Sequence, residues 1–227
     1  MKSIKTKTSR LFHVVIFFLA LSLPDNAEAG GKVGIYGIYM TPYGVDAKEY
    51  SRAGWGLGVH AVFPVPQVAN VLAGVGGLEF VNLLSSTTSF QDRVTQLRVE
   101  QQTEQTYLRL YAGAQVGGHG NGFLRPHAGV NIAFIYYSIN TDVVIPNDNN
   151  RENEIRQSLR SKGKAAFGYD FTLGLDLNFS NTIALDGGVK YLKSFSVPQQ
   201  LGEGSVKIHP QYFQVYLGIG VSFEMIH

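Results

Sequence analysis

Beyond residue 30 the chain alternates between apolar residues and polar or small residues with a period of two. In the segment Phe167–Phe179, every odd position is Phe, Tyr or Leu, whereas the even positions are Gly, Asp, Thr or Asn. Because successive side chains of a strand point to opposite faces, this pattern predicts a β-strand with one apolar face. Phe213–Phe223 repeats the pattern. Both segments exceed the roughly 5–6 residues of soluble strands and match the roughly 9–11 that a tilted strand needs to cross a bilayer.

The same alternation predicts six further strands. Four of these are Trp55–Phe63, Tyr107–Val116, Leu124–Tyr136 and Ile183–Tyr191. In the other two, Val33–Met40 and Ala73–Leu84, glycines interrupt the alternation. The mature chain therefore carries eight predicted strands, and aromatic residues lie near many of their ends, as in the aromatic girdles of membrane barrels.

The links between the predicted strands are alternately long and short. The long, polar links are Thr41–Ala53, Ser85–Glu104, Asn140–Lys164 and Phe195–Pro210. The short links are Pro64–Asn70, Gly117–Phe123 and Ser180–Thr182. Outer-membrane barrels have short periplasmic turns and long extracellular loops. The pattern thus predicts an all-β protein, an eight-stranded antiparallel up-and-down transmembrane β-barrel with both termini in the periplasm.

The N-terminal segment, residues 1–29, has the composition of a cleaved signal peptide. Four basic residues precede the apolar run Leu11–Leu23, and Ala27-Glu28-Ala29 fits a cleavage site. The alternative, an uncleaved anchor, is disfavoured because an apolar run of 13 residues is too short to span a bilayer comfortably. Residues 30–227 are then a single barrel domain. Cleavage removes four of 19 basic and two of 17 acidic residues, and the balanced charge that remains gives no support for binding nucleic acid.

Three segments of the chain carry recognisable barrel motifs. Gly122–Tyr137 contains an aromatic-Pro-x-x-Gly strand, Gly168–Tyr191 a hairpin with a short turn, and Tyr212–Phe223 an aromatic-ended last strand. In these motifs the chain resembles the small OmpA/OmpX-type outer-membrane β-barrel family. Members often end on an aromatic residue, whereas four residues follow Phe223 in this sequence. The resemblance implies an outer-membrane location, with membrane lipids, lipopolysaccharide and the outer-membrane assembly machinery as partners.

Nine ionisable residues lie on the strand faces with small side chains, which point into the lumen of such a barrel. They are His60, Glu79, Arg109, Arg125, His127, Asp170, Asp176, Asp186 and Lys190. An eight-stranded barrel is only wide enough for its side chains to fill it, and an isolated buried ion is very costly. We therefore expect a structural network of ion pairs in the lumen. The alternative is a path for ions or protons.

The sequence contains no pattern typical of catalysis or cofactor binding. It has no cysteine, no His-x-His, no HExxH and no phosphate-binding loop, and no Ser–His–acid arrangement is apparent. We therefore expect a non-enzymatic protein without metal or cofactor. Its loops, above all the charged segment Asn147–Lys164, would contact a surface ligand in adhesion, envelope integrity or protection. Two alternatives remain: a narrow channel or carrier for small hydrophobic molecules, and a secreted soluble barrel with an apolar interior that binds an apolar ligand.

Overall fold

The computed structural model describes residues 30–65, 72–91, 98–117, 123–145, 155–180, 182–195, 197–201 and 204–223. The elements, in chain order, are β1 Gly31–Tyr43, α1 Gly44–Tyr50, β2 Gly54–Pro64, β3 Leu72–Gln91, β4 Arg98–Gly117, β5 Leu124–Ile145, β6 Ile155–Asn178, β7 Ile183–Ser194, β8 Val197–Leu201, β9 Gly204–Ile208 and β10 Gln211–Phe223. Within these ranges, no helix has the length and apolar character needed to cross a membrane.

Eight strands form a closed barrel in the order β1-β10-β7-β6-β5-β4-β3-β2, in which every neighbouring pair is antiparallel. The first and last strands close it with continuous pairing, from Gly31 opposite Phe223 to Tyr43 opposite Gln211. Strands β8 and β9 form a separate hairpin within the link between β7 and β10. The predicted eight-stranded antiparallel barrel is therefore confirmed.

Two of the predicted long links are largely strand. Strand β3 continues to Gln91, and β4 already begins at Arg98. In the same way, β5 continues to Ile145 and β6 already begins at Ile155. These segments contain Thr, Val and Ile, which favour extended backbone, but their apolar and polar residues do not alternate cleanly. Because the prediction relied on alternation, it ended these strands too early.

The extensions form a four-stranded sheet that rises above one side of the barrel. We call it the projecting wall and define it as residues 84–91, 98–104, 139–145 and 155–162. Its strands pair with one another, whereas the last β2 pair is Trp55 with Asn82 and the last β7 pair is Ser194 with Gly168. Among the described residues, the outer edges of the wall in β3 and β6 therefore lack a paired strand.

The barrel is apolar outside and polar at the centre of its lumen. Outward side chains such as Trp55, Ile132 and Phe179 are 67–74% exposed. Aromatic pairs lie at both ends, for example Tyr39 with Trp55 near the long links and Phe123 with Phe179 near the short ones. Nearer the long-link end the lumen is filled by apolar and aromatic side chains, namely Ile38, Met40, Leu83, Tyr107, Ile135, Tyr137, Leu192 and Tyr212.

A buried polar network in the barrel lumen

Eight of the nine ionisable residues singled out in the sequence are buried inside the barrel. These are His60, Glu79, Arg109, His127, Asp170, Asp176, Asp186 and Lys190, none more than 8% exposed. The ninth, Arg125, lies two positions before His127 on β5 and is only partly buried. The eight form two groups, one at the middle of the lumen and one nearer the short turns.

The first group, which we call the central network, consists of Glu79, Arg109, Asp170 and Lys190. The register of β3 and β4 places Glu79 directly opposite Arg109, and Arg109 Nη1 donates to Glu79 Oε2 at 2.7 Å. The second terminal nitrogen of the guanidinium, Arg109 Nη2, pairs with Asp170 Oδ2. Lys190 Nζ reaches from β7 across the lumen and lies 2.6 Å from Glu79 Oε1. Two cations and two carboxylates thus balance one another.

Neutral groups complete the hydrogen bonding of these two carboxylates. Gln214 Nε2 and the Tyr36 hydroxyl donate to Glu79 Oε1 at 3.0 and 2.8 Å. Asn131 Nδ2 and the Thr172 hydroxyl donate to Asp170 Oδ1 at 2.7 and 3.0 Å. Buried ion pairs are tolerated when such bonds replace the lost hydration, so the central network has the partners that its burial requires.

Aromatic rings surround the two cations of the central network. Lys190 Nζ lies 4.9, 4.6 and 5.0 Å from the ring centroids of Tyr36, Tyr111 and Tyr216. The Arg109 guanidinium lies 4.3 Å from the centroid of Tyr111. These distances are within the ~6 Å range of cation–π attraction, which is stronger where water is excluded.

The second group, which we call the short-turn cluster, consists of His60, His127, Asp176 and Asp186, and a further residue, Lys32, joins it. Lys32 Nζ lies 2.7 Å from both oxygens of Asp176 and 3.2 Å from Asp186 Oδ2. His60 Nε2 approaches Asp186 Oδ2 at 3.3 Å, and His127 Nε2 lies 3.8 Å from Asp186 Oδ1. Nitrogen and oxygen donors of the kind that bind metals therefore converge at this end of the lumen.

A small cavity lies between the two groups. It has about 20 Å³ of room for the centres of water molecules and is bordered by His60, His127, Asp186, Lys190 and Tyr216, among others. One water requires roughly 10–15 Å³ on this measure, so the cavity has the size of one or two waters.

Several members of the network were not predicted from the sequence, above all Lys32, Tyr36, Tyr111, Asn131, Gln214 and Tyr216. Lys32 precedes the predicted start of the first strand at Val33, whereas β1 begins at Gly31. The others are uncharged, so a search for ionisable residues passed over them. The alternation of the last strand could have identified two of them, because Gln214 and Tyr216 occupy even positions on its polar face.

Solved structures that are similar to this chain include the crystal structure of Neisserial surface protein A (TM-score 0.58, 11% identity, covering 85% of this chain and 97% of that one). Two others are a major outer membrane protein of Thermus thermophilus (TM-score 0.46, 12% identity, 85% and 99% coverage) and the outer membrane protein OprG of Pseudomonas aeruginosa (TM-score 0.45, 13% identity, 88% and 98% coverage).

No protein-family model matches the sequence, and no curated protein is significantly similar to it. At 11% identity the likeness to Neisserial surface protein A concerns architecture, and it agrees with the closed strand order and the outward apolar faces. The chain therefore has the fold of the small eight-stranded outer-membrane β-barrels.

Proposed function

We propose that this protein is a non-enzymatic, integral outer-membrane barrel that acts as a rigid scaffold for surface contacts. The observation that carries the proposal is the distribution of polarity, because the charged groups are buried in the lumen while large apolar side chains face outward. Exposed residues on the outer face occur on every barrel strand, for example Ile35, Leu57, Phe80, Leu110, Ile132, Leu173, Val189 and Leu217. Apolar surface that continues around a molecule is far larger than the few hundred Å² found on soluble monomers.

In this orientation the short turns lie in the periplasm and the long links outside the cell, as in other barrels of this class. Membrane lipids would surround the strands, with lipopolysaccharide on the outer side, after insertion by the outer-membrane assembly machinery. The export signal at residues 1–29 lies outside the described residues and stays a prediction. The reverse arrangement, a soluble barrel with an apolar interior and a polar exterior, conflicts with the observed exposure of the apolar faces.

The contents of the lumen favour a scaffold over a channel. Arg109, Glu79 and Asp170 meet across its middle, and buried apolar side chains such as Met40 and Leu83 fill the half nearer the long links. An ion would have to break several charge-assisted hydrogen bonds to pass. We therefore assign the two buried groups a structural role, that of holding the barrel closed and rigid.

The projecting wall supports the proposed role in surface contacts. Its outer edges in β3 and β6 carry backbone donors and acceptors without a paired strand among the described residues. Such edges accept an added strand from a partner protein. The predicted ligand-binding segment Asn147–Lys164 contributes its second part to the wall as strand β6, whereas residues 147–154 lie outside the described residues.

Two measurements on one preparation test the proposal. The mature protein, refolded in detergent, should migrate differently on SDS gels with and without boiling, because a closed barrel resists SDS until heated. In planar bilayers it should give no regular conductance steps. A soluble protein without a mobility shift would refute the membrane assignment. A heat-modifiable protein that conducts ions, or that carries an apolar solute across vesicles, would instead support the channel or carrier alternative.

A further inference from the structure

We propose that the short-turn cluster is a binding site for a divalent transition-metal ion of the zinc class. Its ligands are His60 Nε2, His127 Nε2 and a carboxylate oxygen of Asp186, with Asp176 as the fourth. The proposal concerns the interior of the barrel and does not depend on a role for the surface.

The separations between donor atoms suit such an ion. Zinc binds His nitrogen at about 2.0–2.1 Å and carboxylate oxygen at about 2.0–2.2 Å, so neighbouring ligands of a tetrahedral ion lie roughly 3.4 Å apart. His60 Nε2 lies 3.3 Å from Asp186 Oδ2, and His127 Nε2 lies 3.8 Å from the other oxygen of that carboxylate, Asp186 Oδ1. Donor atoms of His127, Asp176 and Asp186 all lie within 4.8 Å of one another. His60 is not part of this group of three, so its imidazole must move towards the other donors to enclose the ion.

Two glycines make room for the imidazoles. Gly34 is paired with His60, and a Cβ at that position would lie 2.7 Å from His60 Nε2. Gly174 is paired with His127, and a Cβ there would collide with His127 Nε2. Any larger residue would therefore push the two Nε2 atoms away from their present positions beside the cavity.

Polar atoms at the site are left without hydrogen bonds. His60 is only 8% exposed, and its Nε2 makes no hydrogen bond. Asp186 is buried as well, and its Oδ1 also makes no hydrogen bond. Both residues border the small cavity next to the cluster. Buried polar groups rarely lack partners, so atoms of this kind call for a partner such as a bound ion.

A divalent cation that displaces Lys32 also balances the charge of the cluster. With neutral imidazoles, the ammonium of Lys32 offsets only one of the two carboxylates Asp176 and Asp186. A divalent ion in the place of the Lys32 ammonium makes the cluster neutral. The Lys32 side chain is 11% exposed and so has a route to solvent when displaced. Nitrogen and oxygen ligands favour Zn²⁺, Cu²⁺ or Ni²⁺ over Mg²⁺ and Ca²⁺, which prefer oxygen alone.

Calorimetric titration of the untagged, refolded protein with Zn²⁺ tests the site. We expect binding of one ion, and His60→Gln and His127→Gln should each weaken it by at least about 10-fold. His209→Gln is the matched control, because His209 is an exposed histidine in the link before β10. Lys32→Met should bind Zn²⁺ more tightly than the natural protein, since the competing ammonium is gone.

A second readout separates binding from misfolding. Zn²⁺ should raise the urea midpoint of Lys32→Met, in which two buried carboxylates lack a counter-ion, and should have no such effect on Lys32→Met/His60→Gln/His127→Gln. The proposal is overturned if heat-modifiable natural protein and Lys32→Met both fail to bind Zn²⁺. It is equally overturned if His209→Gln abolishes binding while the two lumen variants bind normally.

Discussion

Glu79 is the residue that joins the charges at the middle of the lumen. It accepts hydrogen bonds from Arg109, Lys190, Gln214 and Tyr36, which come from four different strands. Removing one partner of a buried pair costs more than the pair itself contributes, because the opposite charge stays buried without compensation. Glu79 should therefore matter more to stability than any single cation around it.

We predict that Glu79→Ala lowers the free energy of unfolding by roughly 3–5 kcal/mol, because Arg109 and Lys190 then share only Asp170 as a buried counter-charge. Urea titration of the protein folded in lipid vesicles measures the change. Glu104→Ala, at an exposed glutamate near the long-link end, is the control and should stay within about 0.5 kcal/mol. Equal losses in the two variants would contradict the central role of Glu79.

Glycine at position 58 gives a second test at the scale of single residues. Gly58 faces the lumen, and a Cβ there would lie 2.5 Å from the ring of Tyr36, which donates to Glu79. Gly58→Ala should therefore cost about 1–3 kcal/mol through overpacking. Gly37→Ala is the matched control, since Gly37 faces outward and the nearest atom to its Cβ would be 3.8 Å away. The same urea titration compares the two variants, and an equal effect would argue against a packed lumen.

At the scale of elements, the β3–β4 hairpin combines two parts with different tasks. Up to Leu83 and Gln105 its strands belong to the barrel, and Leu83 is fully buried in the lumen. Beyond that pair the hairpin contributes to the projecting wall, where β3 pairs with β4 alone. The barrel should thus fold without the upper part of the hairpin.

We predict that replacing residues 84–104 by Asn-Gly leaves a heat-modifiable barrel with an almost unchanged urea midpoint. A two-residue turn of this composition connects directly paired residues, and Leu83 pairs with Gln105. Trimming one pair deeper, by replacing residues 83–105, removes Leu83 from the lumen and should cost roughly 2–5 kcal/mol. If the shallow trimming also prevents folding, the wall is part of the barrel's stable core and not an added surface.

At the scale of the whole molecule, Trp55 reports how the barrel sits in the bilayer. It is the one tryptophan in the sequence, it is 72% exposed on the outer face, and its ring lies 4.7 Å from that of Tyr39. We predict that lipids brominated near the headgroup quench its fluorescence more than lipids brominated near the chain end, because aromatic rings of barrels occupy the membrane interface.

The control for this measurement moves the probe to the middle of the last strand. In Trp55→Phe/Leu217→Trp, the indole occupies an outward position that is 60% exposed in the natural protein, halfway along β10. Its quenching should be strongest with bromine near the chain end. Indistinguishable depth profiles, or emission like that of indole in water, would contradict a lipid-facing outer surface.

Strand number and strand orientation could be predicted because they depend on local sequence. In Phe167–Phe179 the parity of each residue decides its face, and the structure confirms that Asp170 and Asp176 point inward while Phe171 and Leu173 point outward. The prediction failed where the apolar and polar residues of a strand do not alternate cleanly. The upper parts of β3 to β6 are held by backbone pairing, which side-chain alternation does not reveal.

The sequence alone therefore determined the eight strands, their two faces and most of the ionisable residues of the lumen, because a period of two is a property of consecutive residues. Only the tertiary structure decided which charges meet. Lys190 and Glu79 lie 111 residues apart on strands that are not neighbours in the sheet, and Lys32 reaches Asp176 over 144 residues. These contacts exist because closure of the barrel brings all inward faces into one narrow space, where each buried charge must find its partner across the lumen.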